Sequence, residues 1–233
     1  MKWNNAFKQD ITWCSNINNY YEKLSVAKKV AQMAKDGDVI GFGSGSTSFL
    51  AVLEIAKRVL EEHLHILAVP TSYEIELQCD FLDIKKASLN DVCPDWAFDG
   101  ADEADKNNNL IKGRGGAMFN EKLVINCSGK SYILVDSSKF VDKLGSKFPV
   151  PVETTPKSLV YARKSLFELG AKTIDLRLAK SKDGPVITEH GNYILDVKFE
   201  NINDTLEKDI KSITGVIESG LFIGYPIELL CSE

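Results

Sequence analysis

The sequence contains only three histidines, His63, His65 and His190, whose spacing to one another and to the cysteines fits no metal-ligand pattern. Isolated histidines of this kind read as surface or hydrogen-bonded residues. The five cysteines, Cys14, Cys79, Cys93, Cys127 and Cys231, are scattered singly, with no C-x-x-C spacing. An odd, dispersed set fits reduced thiols better than a disulfide framework or a zinc site, which predicts a cytoplasmic location. Basic tracts are missing too: 28 Lys and Arg stand against 33 Asp and Glu, a net charge of -5, so no nucleic-acid partner is expected. The N-terminal stretch lacks an apolar leader core, and no run approaches the roughly 20 apolar residues that cross a bilayer. No membrane partner is expected either. A small molecule remains.

What is present is the composition of a folded globular chain, 44% hydrophobic and 26% charged over 233 residues, long enough for one large domain or two small ones. Apolar Leu24, Ala27, Val30, Ala31 and Ala34 predict a helix over Glu22 to Lys35, ended by "DGD" before a strand at "VIGFG". Phe49, Leu50, Leu53, Ala56, Val59 and Leu60 form a second helical stripe, and "HILAVP" a second strand. With further strands at "WAFD" and "YILVD" and a helix over about Ala117 to Asn126, the pattern is that of a buried parallel sheet, which binds ligands at its strands' carboxyl ends. Beyond Ser146, "FPVPVET", Pro156 to Leu169, "KTIDLRLAK", "NYILDVKF", Asp204 to Ser212 and "GVIESGLFI" follow the order β-α-β-β-α-β of a ferredoxin-like module. "YPIELLC" then returns as a strand to the first sheet. The expected domains are 1–144 with 220–233, and 145–219.

Three stretches carry candidate chemistry. "GFGSGSTSFL" lies between a strand and a helix, where free amides and the helix dipole favour an anion, and Ser44, Ser46 and Thr47 add hydroxyls around Gly45. It has no P-loop lysine and no G-x-G-x-x-G, so a phosphate is expected and a nucleotide is not. The alternative is a capped turn with serine as the helix cap. "FDGADEAD" sets Asp99, Asp102, Glu103 and Asp105 beside a strand end; it lacks the EF-hand glycine, leaving a ligand-facing Asp99 or an acidic surface turn. "IKGRGGAMFNEKLV" offers Lys112 before a glycine turn and Glu121 on a helix, the cation and base that proton removal beside a carbonyl needs, although each could also be an ordinary surface residue. Lys139 in "VDSSKF" follows a predicted strand end.

In order along the chain, "GSGST", "DGADE", "KGRGGA" with "NEK", and "DSSK" resemble the ribose-5-phosphate isomerase A family, and the likeness continues through "GSKFPVPVE", "NYILDVKF" and "GVIESGLF". The resemblance implies an α/β fold in which a Rossmann-like parallel-sheet domain carries an inserted ferredoxin-like α+β lid. It also implies interconversion of ribose 5-phosphate and ribulose 5-phosphate in the pentose phosphate pathway, without metal or organic cofactor, by a homodimer or homotetramer. By that resemblance the substrate-binding residues are Ser44, Gly45, Ser46 and Thr47; Asp99, Gly100, Ala101 and Asp102; Lys112, Gly113, Arg114 and Gly115; and Lys139. Glu121 is then the proton acceptor, Asp99 assists ring opening, and Lys112 stabilises the enediolate, with Asp102 in the catalytic set. Two departures stand out. Ser44 replaces the usual threonine but keeps its hydroxyl, and Arg114 replaces a glycine, which predicts backbone strain if that position needs a positive φ. The other readings are a non-catalytic sugar-phosphate sensor, another sugar-phosphate isomerase and an acyl-CoA transferase.

Overall fold

The computed structural model describes residues 16–232. The expectations for residues 1–15, Cys14 among them, lie outside the described residues. In chain order the elements are α1 (Tyr20–Ala31), β1 (Val39–Phe42), α2 (Ser46–Glu62), β2 (Leu67–Pro70), α3 (Tyr73–Phe81), β3 (Trp96–Gly100), β4 (Glu103–Ala104), β5 (Leu110–Ile111), α4 (Met118–Cys127) and β6 (Ser131–Val135). They continue as β7 (Val150–Thr154), α5 (Leu159–Glu168), β8 (Ala171–Leu176), β9 (Tyr193–Phe199), α6 (Leu206–Lys211), β10 (Val216–Ser219), β11 (Leu221–Phe222) and β12 (Ile227–Cys231). The chain divides into two compact units, one of residues up to 100, 120–138 and from 226, the other of residues 101–119 and 139–225.

The first unit is built on a five-stranded sheet in the order β12-β6-β3-β1-β2. Every neighbouring pair is parallel, and "YPIELLC" does return to it as β12 beside β6. Successive residues of a strand face opposite sides, so Phe98 joins the large cluster of Val26, Val30, Phe42, Val52 and Ile55 while Ala97 packs with Val69 and Val124. Both faces are therefore covered, which explains why these strands read as apolar runs. Helix α1 stops at Ala31, earlier than its apolar stripe predicts. The Arg58 guanidinium on α2 donates to the carbonyls of Ala31 and Ala34 at 2.6 and 2.9 Å, satisfying the helix end from another element.

The second unit contains an antiparallel four-stranded sheet in the order β10-β7-β9-β8, the arrangement that β-α-β-β-α-β connectivity gives, with α5 and α6 contributing Ala162, Leu166, Leu206 and Ile210 to its core. The segment expected to form one last strand is two: β10 closes this sheet, Gly220 breaks the run, and β11 pairs with β5 in a small sheet β11-β5-β4. Glu103 on β4 is wholly buried, and its carboxylate accepts from the amides of Gly145, Lys147 and Phe148 at 2.7, 2.6 and 2.6 Å. Three amides aimed at one carboxylate form charge-assisted bonds stronger than neutral ones. Glu103→Gln turns an amino group toward one of these donors and is expected to cost about 2–4 kcal/mol. Calorimetry should then show the melting temperature lowered by roughly 5–10 °C.

Candidate functional site

Strand β1 ends at Phe42, and the chain turns through Gly43, Ser44 and Gly45 into α2. Gly43 passes so close to β3 that a Cβ there would lie 2.4 Å from both the Asp99 carboxyl carbon and the Phe98 carbonyl oxygen. Only glycine fits. Gly45 sits at the N-cap with φ 91° and gives α2 no side-chain cap, and the first turn of α2 carries no acid. The serine-capped alternative is therefore not what forms. The first amides of the helix carry partial positive charge, an arrangement that is able to take an anion. The Ser44 hydroxyl lies 2.8 Å from the hydroxyls of both Thr71 and Ser72, fixing its side chain, and Thr47 is buried at the start of the helix.

Asp99, only 2% exposed at the end of β3, accepts through Oδ1 from the amides of Ser44 at 3.1 Å and Gly100 at 2.7 Å. The same unit contains Glu121, 4% exposed in the first turn of α4. A Cβ on Gly41 would lie 2.5 Å from Val124 Cγ1, so the missing side chain in β1 lets α4 seat against the sheet and sets where Glu121 is held.

One residue of this unit was not singled out from sequence. Lys23 on α1 is 7% exposed, and its ammonium donates to Ser46 Oγ at 3.0 Å and stands 4.0 Å from Asp136 Oδ2. Asp136 is held in turn by the amide group of Asn19 and by the backbone and hydroxyl of Ser138. A buried cation bonded to Ser46 adds to the positive potential at the N-terminus of α2. No local pattern reveals it, because Ser46 and Asp136 are distant in sequence.

In the second unit the remaining acids of "FDGADEAD" separate by role. Glu103 is spent on backbone amides, as described above. Asp105 holds a turn by accepting from the amides of Asn107 and Asn109 at 2.8 and 2.9 Å. Asp102 is different: its amide donates to Ile111 O, and its Oδ2 accepts from the amide of Arg114 at 3.3 Å, tying Ala101–Asp102 to the Lys112–Gly115 loop. Lys112 is 3% exposed; its amide donates to Gly220 O at 2.8 Å, and its ammonium lies 5.6 Å from the centre of the Phe222 ring. The strain expected at Arg114 does not arise. Gly113 and Gly116 take the positive φ values, 94° and 87°, while Arg114 is not among the described residues with positive φ. Lys139 ends a 3-10 turn at Ser137–Lys139, its ammonium 5.7 Å from the centre of the Phe148 ring.

The histidines behave as expected for isolated ones: His65 contacts the Asp36 carboxylate at 3.0 Å, and His190 packs edge-on against Phe119. Of the cysteines, Cys79 is buried, which pushes its thiol pKa up to about 12.

The model of ribose 5-phosphate isomerase A, or phosphoriboisomerase A, matches residues 67–233. The chain belongs to the ribose 5-phosphate isomerase A family. It is 44% identical over 209 residues to ribose-5-phosphate isomerase A of Methanocaldococcus jannaschii, covering 88% of this chain and 92% of that one. The relative from Gloeothece citriformis is 42% identical over 91% of this chain and 90% of its own. The solved structure of the M. jannaschii isomerase superposes with a TM-score of 0.87 over 91% of this chain and 96% of that chain. A D-ribose-5-phosphate isomerase solved in complex with phospho-erythronic acid also reaches a TM-score of 0.87, at 39% identity, covering 92% of this chain and 96% of its own. These family members share the α/β fold with a parallel sheet described above.

Proposed function

We infer that this protein is an aldose-ketose isomerase that interconverts D-ribose 5-phosphate and D-ribulose 5-phosphate. The observation that carries the reading is the anion loop ending β1, whose uncapped helix and buried Lys23 suit a phosphate, bonded directly to the carboxylate of Asp99. Its identity with relatives bearing that name, at 44% and 42%, supplies the substrate.

The proposed roles follow from the chemistry of each group. The phosphate is taken by the amides and hydroxyls of Ser44 to Thr47, with Lys139 as a further contact. Asp99, with Asp102, assists transfer of the ring-closing proton so that the sugar opens and exposes its C1 aldehyde. The Glu121 carboxylate removes the proton from C2, electrons shift into the carbonyl, and an enediolate forms. Lys112, with the amide of Gly115, balances its charge. A proton passes from the C2 hydroxyl to O1, and the protonated Glu121 returns the carbon-bound proton to C1, leaving a ketone at C2 and a hydroxyl at C1. In this scheme the burial of Glu121 and Lys112 keeps bulk water from competing for the proton and from weakening their interaction with the developing charge.

We propose further that residues 145–219 form the lid, that the protein works in the cytoplasm, and that it assembles as a homodimer or homotetramer. The test of function is ketose formation from ribose 5-phosphate, followed at neutral pH with EDTA present. Turnover that survives the chelator is expected, since every charge in the scheme comes from side chains and amides. Binding of the sugar phosphate without turnover would instead establish a sensor.

A further inference from the structure

We infer that Arg177 is a positioning residue for the isomerase reaction, holding the Lys112–Gly115 loop so that the Gly115 amide is turned to the enediolate and the Arg114 amide to Asp102. The inference rests on the isomerase reading above and adds to it a residue outside the loops that touch substrate.

Arg177 follows β8, and its own backbone is secured on both sides: its amide donates to Ile194 O at 2.9 Å and its carbonyl accepts from Val186 at 2.8 Å. The side chain therefore starts from a fixed point. Asp196 on β9 grips the guanidinium in a fork, with Nε donating to Oδ2 at 2.9 Å and Nη2 to Oδ1. That leaves Nη1, which donates to two consecutive carbonyls of the loop, Gly113 O at 3.0 Å and Arg114 O at 2.8 Å. Gly113 O also accepts from the amide of Gly116 at 3.0 Å, so both its lone pairs are engaged.

The consequence follows from peptide planarity. In a trans peptide the N–H points opposite to the C=O, so two carbonyls drawn toward Arg177 turn the amides of Arg114 and Gly115 away from it. The Arg114 amide meets Asp102 Oδ2, the residue placed in the catalytic set. Gly115 is exposed, and a Cβ there would meet nothing within 4 Å, so this side of the loop is open to a ligand. Because Asp196 neutralises Arg177, its contribution is orientation of dipoles rather than added charge. A lysine carries the same charge but has no planar fork with which to hold a carboxylate and two carbonyls at once.

The experiment compares the wild type with Arg177→Met, Arg177→Lys and Asp196→Asn. It measures kcat and KM for ribose 5-phosphate, melting temperature, and the affinity for phospho-erythronic acid by calorimetry. That acid's planar carboxylate resembles the enediolate more than the aldehyde does. For Arg177→Met, kcat is expected to fall about 10- to 100-fold while KM stays within about threefold, and affinity for the acid to weaken by a similar factor to kcat/KM. Arg177→Lys should recover part of the loss and Asp196→Asn should show a smaller one. A folded Arg177→Met with kcat and acid affinity both within about twofold of wild type overturns the inference, as does loss of thermal stability in all three variants with normal kcat per folded molecule. If Arg177→Met does not fold, the same thresholds apply to Asp196→Asn. A wild type that does not turn over ribose 5-phosphate defeats the isomerase reading instead, and equal binding of the acid by wild type and variant would then defeat the clamp separately.

Discussion

Glu121→Gln is expected to lower kcat by about 10³- to 10⁴-fold, the upper part of what a positioned base contributes, with little change in KM. In free-energy terms that is roughly 4–5 kcal/mol of transition-state stabilisation. The amide has the size and shape of the carboxylate, so the first turn of α4 and its packing through Val124 persist. It has no basic oxygen able to hold the C2 proton. The measurement is the initial rate of ketose formation alongside circular dichroism and melting temperature, with the loss of deuterium from C2-labelled substrate as a second readout. A folded variant that retains a tenth of the wild-type rate would remove Glu121 from the role of base.

Lys112→Met is expected to lower kcat by about 10²- to 10³-fold, the loss seen when an oxyanion donor is deleted. Lys112 keeps its backbone anchored to Gly220 O and extends toward Phe222, so a methionine of similar length can follow the same path against the ring without its charge. The fold should hold while the enediolate loses its cation. KM is expected to rise less than kcat falls, because the aldehyde of the ground state carries little of the charge that Lys112 meets in the transition state. Equal proportional changes in KM with kcat preserved would make Lys112 a binding residue only.

Much of the framework could be read directly because its signals are local. The strands at "VIGFG", "WAFD" and "YILVD" are short apolar runs in a sheet covered on both faces, and the helices between them keep a regular stripe. Helix α3 was not foreseen. Its buried face uses Ile75 and Cys79 together with Gln78, whose side-chain amide donates to Phe49 O, while apolar Leu77 is exposed, so the hydrophobic period is blurred. The two-residue strands β4, β5 and β11 are too short to have a period at all, and they exist only because they pair with one another. Arg58 meets the carbonyls at the end of α1 from another element, and Lys23 is held by Ser46 and Asp136; both are long-range facts. In the candidate site the glycine loops stood out by residue type and spacing, while Glu121 could equally have been a surface helix residue until the family resemblance gave it a role. The division of labour among Asp99, Asp102, Glu103 and Asp105 did not, because four carboxylates in one stretch look alike until their hydrogen-bond partners are known.

Oδ1 of Asp99, at the end of β3, receives the Ser44 amide from the turn after β1 and the amide of its own neighbour Gly100, while Gly43 leaves no slack between turn and strand. The turn and the strand end are thus a single rigid part rather than two adjustable ones. If the roles proposed above hold, anyone redesigning this site for a longer or shorter sugar phosphate would find that moving the Gly43–Gly45 turn drags Asp99, the carboxylate proposed to assist ring opening, with it. Altered length preference would have to be introduced elsewhere, at side chains that touch the middle of the sugar.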